Sequence, residues 1–426
     1  MSEFDLQYTW LDFGCNDAPE INGTFADFTL TGGNEIITKV LDKRARTTRD
    51  FIRVPLYPLA EWLTTNWWCL FNEVHTPGKT ATVDGVDTRH CLYSAQEGFP
   101  LPRLRIYPEG DKLNLTWASF QSEHQNIEFI STGEQRVATE LFRAKAAELI
   151  EAVLDRLESL KISAGTLTKN WEAIINADWE EAEFCRAAAW LGLDAYALPA
   201  DAAETIMNIW TAIPEGLRAD AFCASTIERL PDVERWLASG LDALGTSILD
   251  QHSFKGLYEV PQVPQAATPW EQGYALARHA RAQLNLDGQG APDVFQFTSP
   301  VATPAGPTPM PSIDGLVGLD QRIIRCFAFK RRPESFRFLI ARSLMSLFYG
   351  GDRSLYLLTS AITERQQKER SFAAEFLIPA HVIGSRITSN EVTAEEISDI
   401  AADFEVSPFV VKYQITNHRI AHVAET

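Results

Sequence analysis

Two histidines four residues apart, His418 and His422 in the stretch HRIAH, are the first residues here whose spacing could do chemistry. On a helix that spacing puts both rings on one face, which suits a divalent metal ion. Arg419 stands where a metallopeptidase carries its general base, so the pair is not a hydrolytic motif. No cysteine or carboxylate cluster accompanies it, and the further histidine of this region is His381. The plain alternative is a solvated or core-packed helix end. A second group, Asp84, Asp87 and His90 in DGVDTRH, reads as a solvated turn in a loop before it reads as a metal site. Cys91 follows His90, but adjacent side chains seldom cooperate as a nucleophilic dyad. The chain has no GxxxxGK[ST] phosphate loop, no GxGxxG after a strand and no GxSxG elbow.

Charge offers a different kind of candidate. Residues 321–370 hold eleven cations: Arg322, Arg325, Lys330, Arg331, Arg332, Arg337, Arg342, Arg353, Arg365, Lys368 and Arg370. Against them stand four acids, Glu334, Asp352, Glu364 and Glu369, for a net of +7 inside a chain of net charge −19. Arginine forks suit phosphate and carboxylate oxygens, so this strip could bind a nucleotide, a nucleic-acid end or an acidic peptide. The competing reading is ordinary packing against an acidic part of the same protein. That part exists: residues 178–250 hold fourteen Asp and Glu, four Arg and no Lys.

The elements that must position these groups fall into three stretches of 426 residues. Residues 1–138 read as β-rich, of unknown role. LRIYPEGDKLNLTW alternates apolar and polar residues around a turn, a hairpin pattern, and FTLTGGNEIITKVL carries β-branched residues around Gly-Gly. One helix interrupts, PLAEWLTTNWWCLFNEV, with proline at its entry. Its Trp62, Trp67, Trp68 and Phe71 form either a stacking surface for a ligand or, more simply, a helix packed on a sheet. Residues 139–260 form a helical acidic segment. Phe142, Ala146, Leu149, Ile150, Val153, Leu154 and Leu157 recur at helical spacing, and Asp178 with Glu181 resembles a capping box. The run FCRAAAWLGLDAYALPADAAETIMNIW has a helix-turn-helix outline, but a groove-reading helix needs cations that this segment lacks. A proline-bearing linker precedes a final domain, 265–426, in which SPVATPAGPTPMP is a surface loop.

That final domain resembles the ImmA/IrrE family of metallopeptidase-like proteins, over residues 270–423. WEQGYALARHARAQLNL looks like the family's first helix and RFLIARSLMSLFYGG like its active-site helix. ERQQKERSFAAEFLIPA, with FAAEFLIP close to the family's FAAELLMP, and VTAEEISDIAADFEVSPFVVKYQITN follow in the family's order. The resemblance implies a zincin-like α+β fold, and so an α+β multidomain protein: a β-rich N-terminal domain, an all-α middle domain and a degenerate zincin-like C-terminal domain. Active members carry HExxH, two zinc-binding histidines around a general base. Aligned through Arg337 and Phe338, this chain has Arg342, Ser343, Leu344, Met345 and Ser346 instead. The family's third ligand falls at Lys368, with Glu369 beside it as a one-residue alternative. Phe338, Ala341, Met345 and Phe348 form the buried face of the helix, with Arg342 and Ser346 on the metal's side. Either Arg342 pairs with a carboxylate such as Glu369 or Glu375 and locks the cleft, or the cleft has become an anion site. The residues of that cleft are Arg337, Arg342, Ser343, Ser346, Lys368 and Glu369, with Arg322, Arg325, Lys330, Arg331 and Arg332 as the basic strip.

The resemblance implies a non-catalytic pseudo-peptidase with no metal or other cofactor. It would act as a sensor, regulator or scaffold in bacterial stress response, gene regulation or antiphage defence. Its partner would be a protein, such as a helix-turn-helix regulator or a defence-complex subunit, or a nucleotide or nucleic acid on the basic strip. An enzyme with a site in the N-terminal domain is the alternative. Six scattered cysteines without CxxC, no long apolar run and no basic, apolar N-terminus predict a cytoplasmic protein with no membrane span.

Overall fold

The computed structural model describes residues 4–12, 18–76, 83–121, 126–245, 254–264, 267–286, 290–299, 310, 312–329 and 332–424. The fold is mixed α/β with several small sheets, and the chain divides into two compact units. One comprises Met1–His75 with Thr80–Met207, the other Thr76–Lys79 with Asn208–Thr426. The helical segment 139–260 is therefore shared between the units, and the boundary falls inside the helix Ala200–Ala212.

The first unit holds the strands expected near the N-terminus. Leu104–Glu109 and Lys112–Trp117 form an antiparallel hairpin, closed where Gly110 takes a φ of 68° that a side chain would resist. Phe25–Gly32 turns at Gly33 into the short strand Glu35–Ile36, as the Gly-Gly pair suggests. The tryptophan-rich helix is two helices, Tyr57–Thr65 and Trp67–Asn72, broken at Asn66, whose side-chain amide donates to the Trp62 carbonyl at 2.9 Å. Trp62, Trp67 and Phe71 are buried, and Trp67 meets Trp171 at 5.3 Å between ring centres. These rings are core, not an open stacking surface. The helix Thr139–Ser159 buries Phe142, Ala146, Leu149, Ile150, Val153 and Leu157, the face its periodicity specifies, with Leu154 packed at the edge.

The second unit begins with α1 (Glu215–Cys223) and α2 (Leu230–Leu244), then α3 (Pro269–Gln283). A three-stranded antiparallel sheet follows, with β1 (Ile313–Asp320) at its centre between β2 (Ile323–Phe327) and β3 (Leu355–Thr359). Helix α4 (Pro333–Tyr349) runs between β2 and β3 in sequence; proline opens it, and Gly350 at a φ of 77° ends it. Then come α5 (Glu364–Leu377), α6 (Ala380–Arg386), α7 (Ala394–Asp403) and α8 (Pro408–Asn417).

Small residues let these elements approach closely. A Cβ on Gly273 of α3 would lie 2.0 Å from Ser371 Oγ and 2.4 Å from the Lys368 carbonyl on α5. A Cβ on Gly240 of α2 would lie 2.7 Å from the Phe327 ring on β2. The acidic helices α1 and α2 are thus part of the second unit's own fold. Ala341, Leu344, Leu347 and Phe348 of α4 join Phe372, Phe376 and Leu377 of α5 in the core. Phe338 and Met345, expected in that buried face, pack only at its edge. The proline-rich stretch after Ser299 lies almost wholly outside the described residues.

Candidate functional site

The site is built where α4, α5 and the ends of β1 and β3 meet, around Arg342. This guanidinium is 3% exposed, and such a charge is tolerable only with partners. Nη1 donates to Asp314 Oδ2 on β1 at 2.8 Å. Nη2 donates to the Thr359 carbonyl at 3.0 Å and to Gln366 Oε1 on α5. Gln366 is itself fixed, accepting from the Thr359 amide at 3.1 Å and donating to the Leu357 carbonyl at 2.9 Å. The fully buried Glu369 carboxylate lies 3.7 Å from Arg342 Nη2.

Glu369 links Arg342 to a second arginine. Arg365 Nη1 donates to it at 2.6 Å, while Arg365 Nη2 reaches Asp220 Oδ2 on α1 at 2.7 Å. Burial pushes the Glu369 carboxyl above its usual range, although Arg365 and Arg342 both pull it down. Burial acts downward on Arg365, but Asp220 and Glu369 outweigh it and hold the guanidinium well above its ordinary value. Asp314, Arg342, Glu369, Arg365 and Asp220 therefore form a chain of alternating charge that ties β1, α4, α5 and α1 together.

Arg370, one residue beyond Glu369, differs. Its Nη1 and Nη2 donate to the carbonyls of Thr359, at 3.3 Å, and Ala361, at 3.0 Å. Burial and then the charge of Arg342 lower its ordinary value to about 10. A cavity of about 440 Å³ opens beside it. Its lining includes the charged Arg342, Arg370, Asp314 and Glu334 and the apolar Phe338, Leu339, Ile362 and Val410. Ser407, which caps α8 by accepting from the Phe409 amide at 3.2 Å, stands at its edge.

The other expected cleft residues lie elsewhere. Arg337 is buried on a different face of α4, donating to the Pro292 carbonyl at 3.0 Å and pairing with Glu405 at 3.1 Å. Five residues on a helix are 140° of rotation, so Arg337 and Arg342 do not share a face. Ser343 Oγ donates back to the Leu339 carbonyl at 3.3 Å, and Ser346 is buried. Lys368 pairs with Glu364 on the same helix at 2.5 Å, so the carboxylate beside Arg342 comes from Glu369. Glu375 is not a partner of Arg342: it takes Arg278 at 2.8 Å and the Gln414 amide at 2.9 Å. In the basic strip, Arg325 pairs with Asp320 at 2.8 Å, and Arg322 and Arg332 are exposed. Lys330 and Arg331 lie outside the described residues.

The histidine spacing also resolves differently. Helix α8 ends before His418, and His422 sits in the two-residue strand His422–Val423, so the two do not share a helix face. His418 packs against Tyr274 at 4.5 Å between ring centres, and burial lowers its proton affinity. His381 is exposed on α6. Among the described residues no group of three or more His, Cys, Asp or Glu is placed to hold a metal ion. The residues around Arg342 do not fit zinc either, since Arg342 brings a fixed positive charge without a lone pair and Glu369 is held in ion pairs.

In the first unit, DGVDTRH is helical, not a loop, and His90 is fully buried. Its Nε2 lies 3.0 Å from Glu73 Oε2 and its Nδ1 2.7 Å from the Ile106 carbonyl. Arg89 donates twice to Glu73, at 2.6 and 2.7 Å. Against the opposing effect of burial, these bonds hold the Glu73 carboxyl down at about 2. Burial raises the Cys91 thiol, and Asp87 pairs with Arg105 at 3.2 Å. This cluster fastens Glu73 to the sheet and offers no reacting group to solvent. Glu73, like Asp314 and Gln366, carries no local sequence signal, because its partners are distant in the chain.

No known family model matches the chain, and no curated protein matches it in sequence. Among the described residues, no helix is long and apolar enough to cross a membrane.

Proposed function

We propose that the protein is a non-catalytic pseudo-peptidase. Its second unit is a degenerate zincin-like domain of the ImmA/IrrE kind, whose former active-site cleft has been rebuilt as a binding pocket. One observation carries this reading: Arg342, at the position of the first metal ligand, is buried in an ion-pair network beside a cavity. The order of helix, antiparallel strands, helix, strand and helix supports it. So does Glu369, whose carboxylate lies next to residue 342 as a third ligand would. In this reading the protein is a regulator or scaffold that holds a partner segment without cutting it, in a bacterial stress, gene-regulation or defence setting. The basic strip favours nucleic acid less, because Arg325, Arg337, Arg342, Arg353, Arg365 and Lys368 are taken up by carboxylates of the same unit.

Elemental analysis of the natively purified chain tests this, together with a variant carrying Arg342→His, Ser343→Glu and Ser346→His. The native chain should hold no stoichiometric zinc. The variant should gain about one zinc per chain through the two histidines and Glu369. Zinc in the native chain, or none in the folded variant, would overturn the reading.

A further inference from the structure

Resting on the reading of the second unit as a rebuilt cleft, we propose that its cavity is a site for one carboxylate borne next to an apolar side chain on a peptide segment. The cavity, at about 440 Å³, has room for one or two side chains. Its lining mixes two chemistries: the guanidiniums of Arg342 and Arg370, and the apolar side chains of Phe338, Leu339, Ile362 and Val410.

The two arginines are unequal. Arg342 already has Asp314, Gln366 and a carbonyl, though its Nε–H finds no acceptor among the described residues. Among the described residues Arg370 has two carbonyl oxygens, at 3.0 and 3.3 Å, and the neighbouring charge of Arg342 works against it. A carboxylate arriving at Arg370 would relieve that repulsion through a charge-assisted fork. The lining also includes Asp314 and Glu334. Two carboxylates against two guanidiniums cancel, so a guest anion is held by direct bonds to Arg370 and not by net charge, which disfavours a phosphate dianion more than a carboxylate.

The occupant is a peptide because the apolar surface does not stop at the cavity. Val410 lines it from the first turn of α8, and on the same helix Phe409 and Tyr413 are 71% and 63% exposed. Large aromatic rings left in solvent one turn apart mark a contact surface. A small carboxylic acid would fill the cavity and leave these rings uncovered, whereas an extended segment anchored at Arg370 could cover both.

The probe is a random octapeptide library displayed on phage and selected on the full-length chain, in parallel with Arg370→Gln. Selection on the native chain should enrich peptides with Asp or Glu beside an apolar residue. Synthetic copies should lose roughly tenfold or more in affinity on Arg370→Gln, and less on Arg370→Lys. Amidation of the peptide's acid should cost a similar factor, and phosphoserine in its place should bind no better. Val410→Thr, on the cavity wall and partly buried, should weaken binding severalfold while the chain stays folded, and it decides the matter if Arg370→Gln fails to fold. No acidic enrichment, equal binding to Arg370→Gln, or tighter binding of the phosphopeptide would overturn the proposal. Such a result in a zinc-free protein defeats this inference alone, whereas zinc in the native chain defeats the reading on which it rests.

Discussion

Arg342 shows how a single buried side chain can cross-link several elements. Its partners come from β1, β3 and α5, so removing it takes the cation from Asp314 and leaves the buried Glu369 with Arg365 alone. Arg342→Ala should therefore destabilise the second unit by about 3 kcal/mol, the low end of the range for a broken buried ion pair, because Glu369 keeps Arg365. Adding Glu369→Leu to Arg342→Met should return part of that loss. Denaturant unfolding of the single and double variants measures both. Glu73 sets a pH dependence in the first unit. Its folded value of about 2 lies below its ordinary 4.5, so the stability it contributes is fully present above about 4.5 and is lost as pH falls toward 2. The loss should amount to about 3 kcal/mol and be nearly absent in Glu73→Gln, as read from denaturant midpoints between pH 6 and pH 2.

Among the elements, the contact of α3 with α5 is the most demanding. Gly273 allows it because a Cβ would meet both a hydroxyl and a backbone carbonyl. Gly273→Ala should cost about 1–3 kcal/mol, the range for overpacking a tight contact. Ser371→Ala should not restore the loss, since the Lys368 carbonyl 2.4 Å from the added carbon remains. Recovery in the Gly273→Ala, Ser371→Ala double variant would show that the helices separate easily. Helix ends, by contrast, are local. Thr268 with Glu271 and Thr393 with Glu396 form complete capping boxes, and Ser407 and Thr363 cap α8 and α5.

For the whole chain, charge distribution matters more than its total. Six of the eleven cations in residues 321–370 pair with Asp220, Asp314, Asp320, Glu364, Glu369 and Glu405. The −19 total then dominates at long range. A 20-base-pair duplex in about 0.15 M salt should bind no more tightly than about 100 µM, the weak end of non-specific association. Fluorescence anisotropy of a labelled duplex checks this, and micromolar binding would return the basic strip to consideration.

Several features were determined by the sequence alone because their causes are local. The hairpin over residues 104–117, the buried face of Thr139–Ser159, the start of the helix opening at Pro269 and the glycine end of α4 follow from periodicity, caps and turn residues a few positions apart. That the HExxH pattern is absent around Arg342 was legible too, since it is a matter of residue type. Tertiary structure alone decided the rest. It gave Arg342 the partner Asp314, turned Arg337 and Lys368 away from the cavity, and left Arg370 facing it. It also divided the acidic helices between two units, seating Asp220 against Arg365. The reason is physical: a buried charge is satisfied by whichever groups the fold brings within about 3 Å, and those lie up to 145 residues apart in the chain.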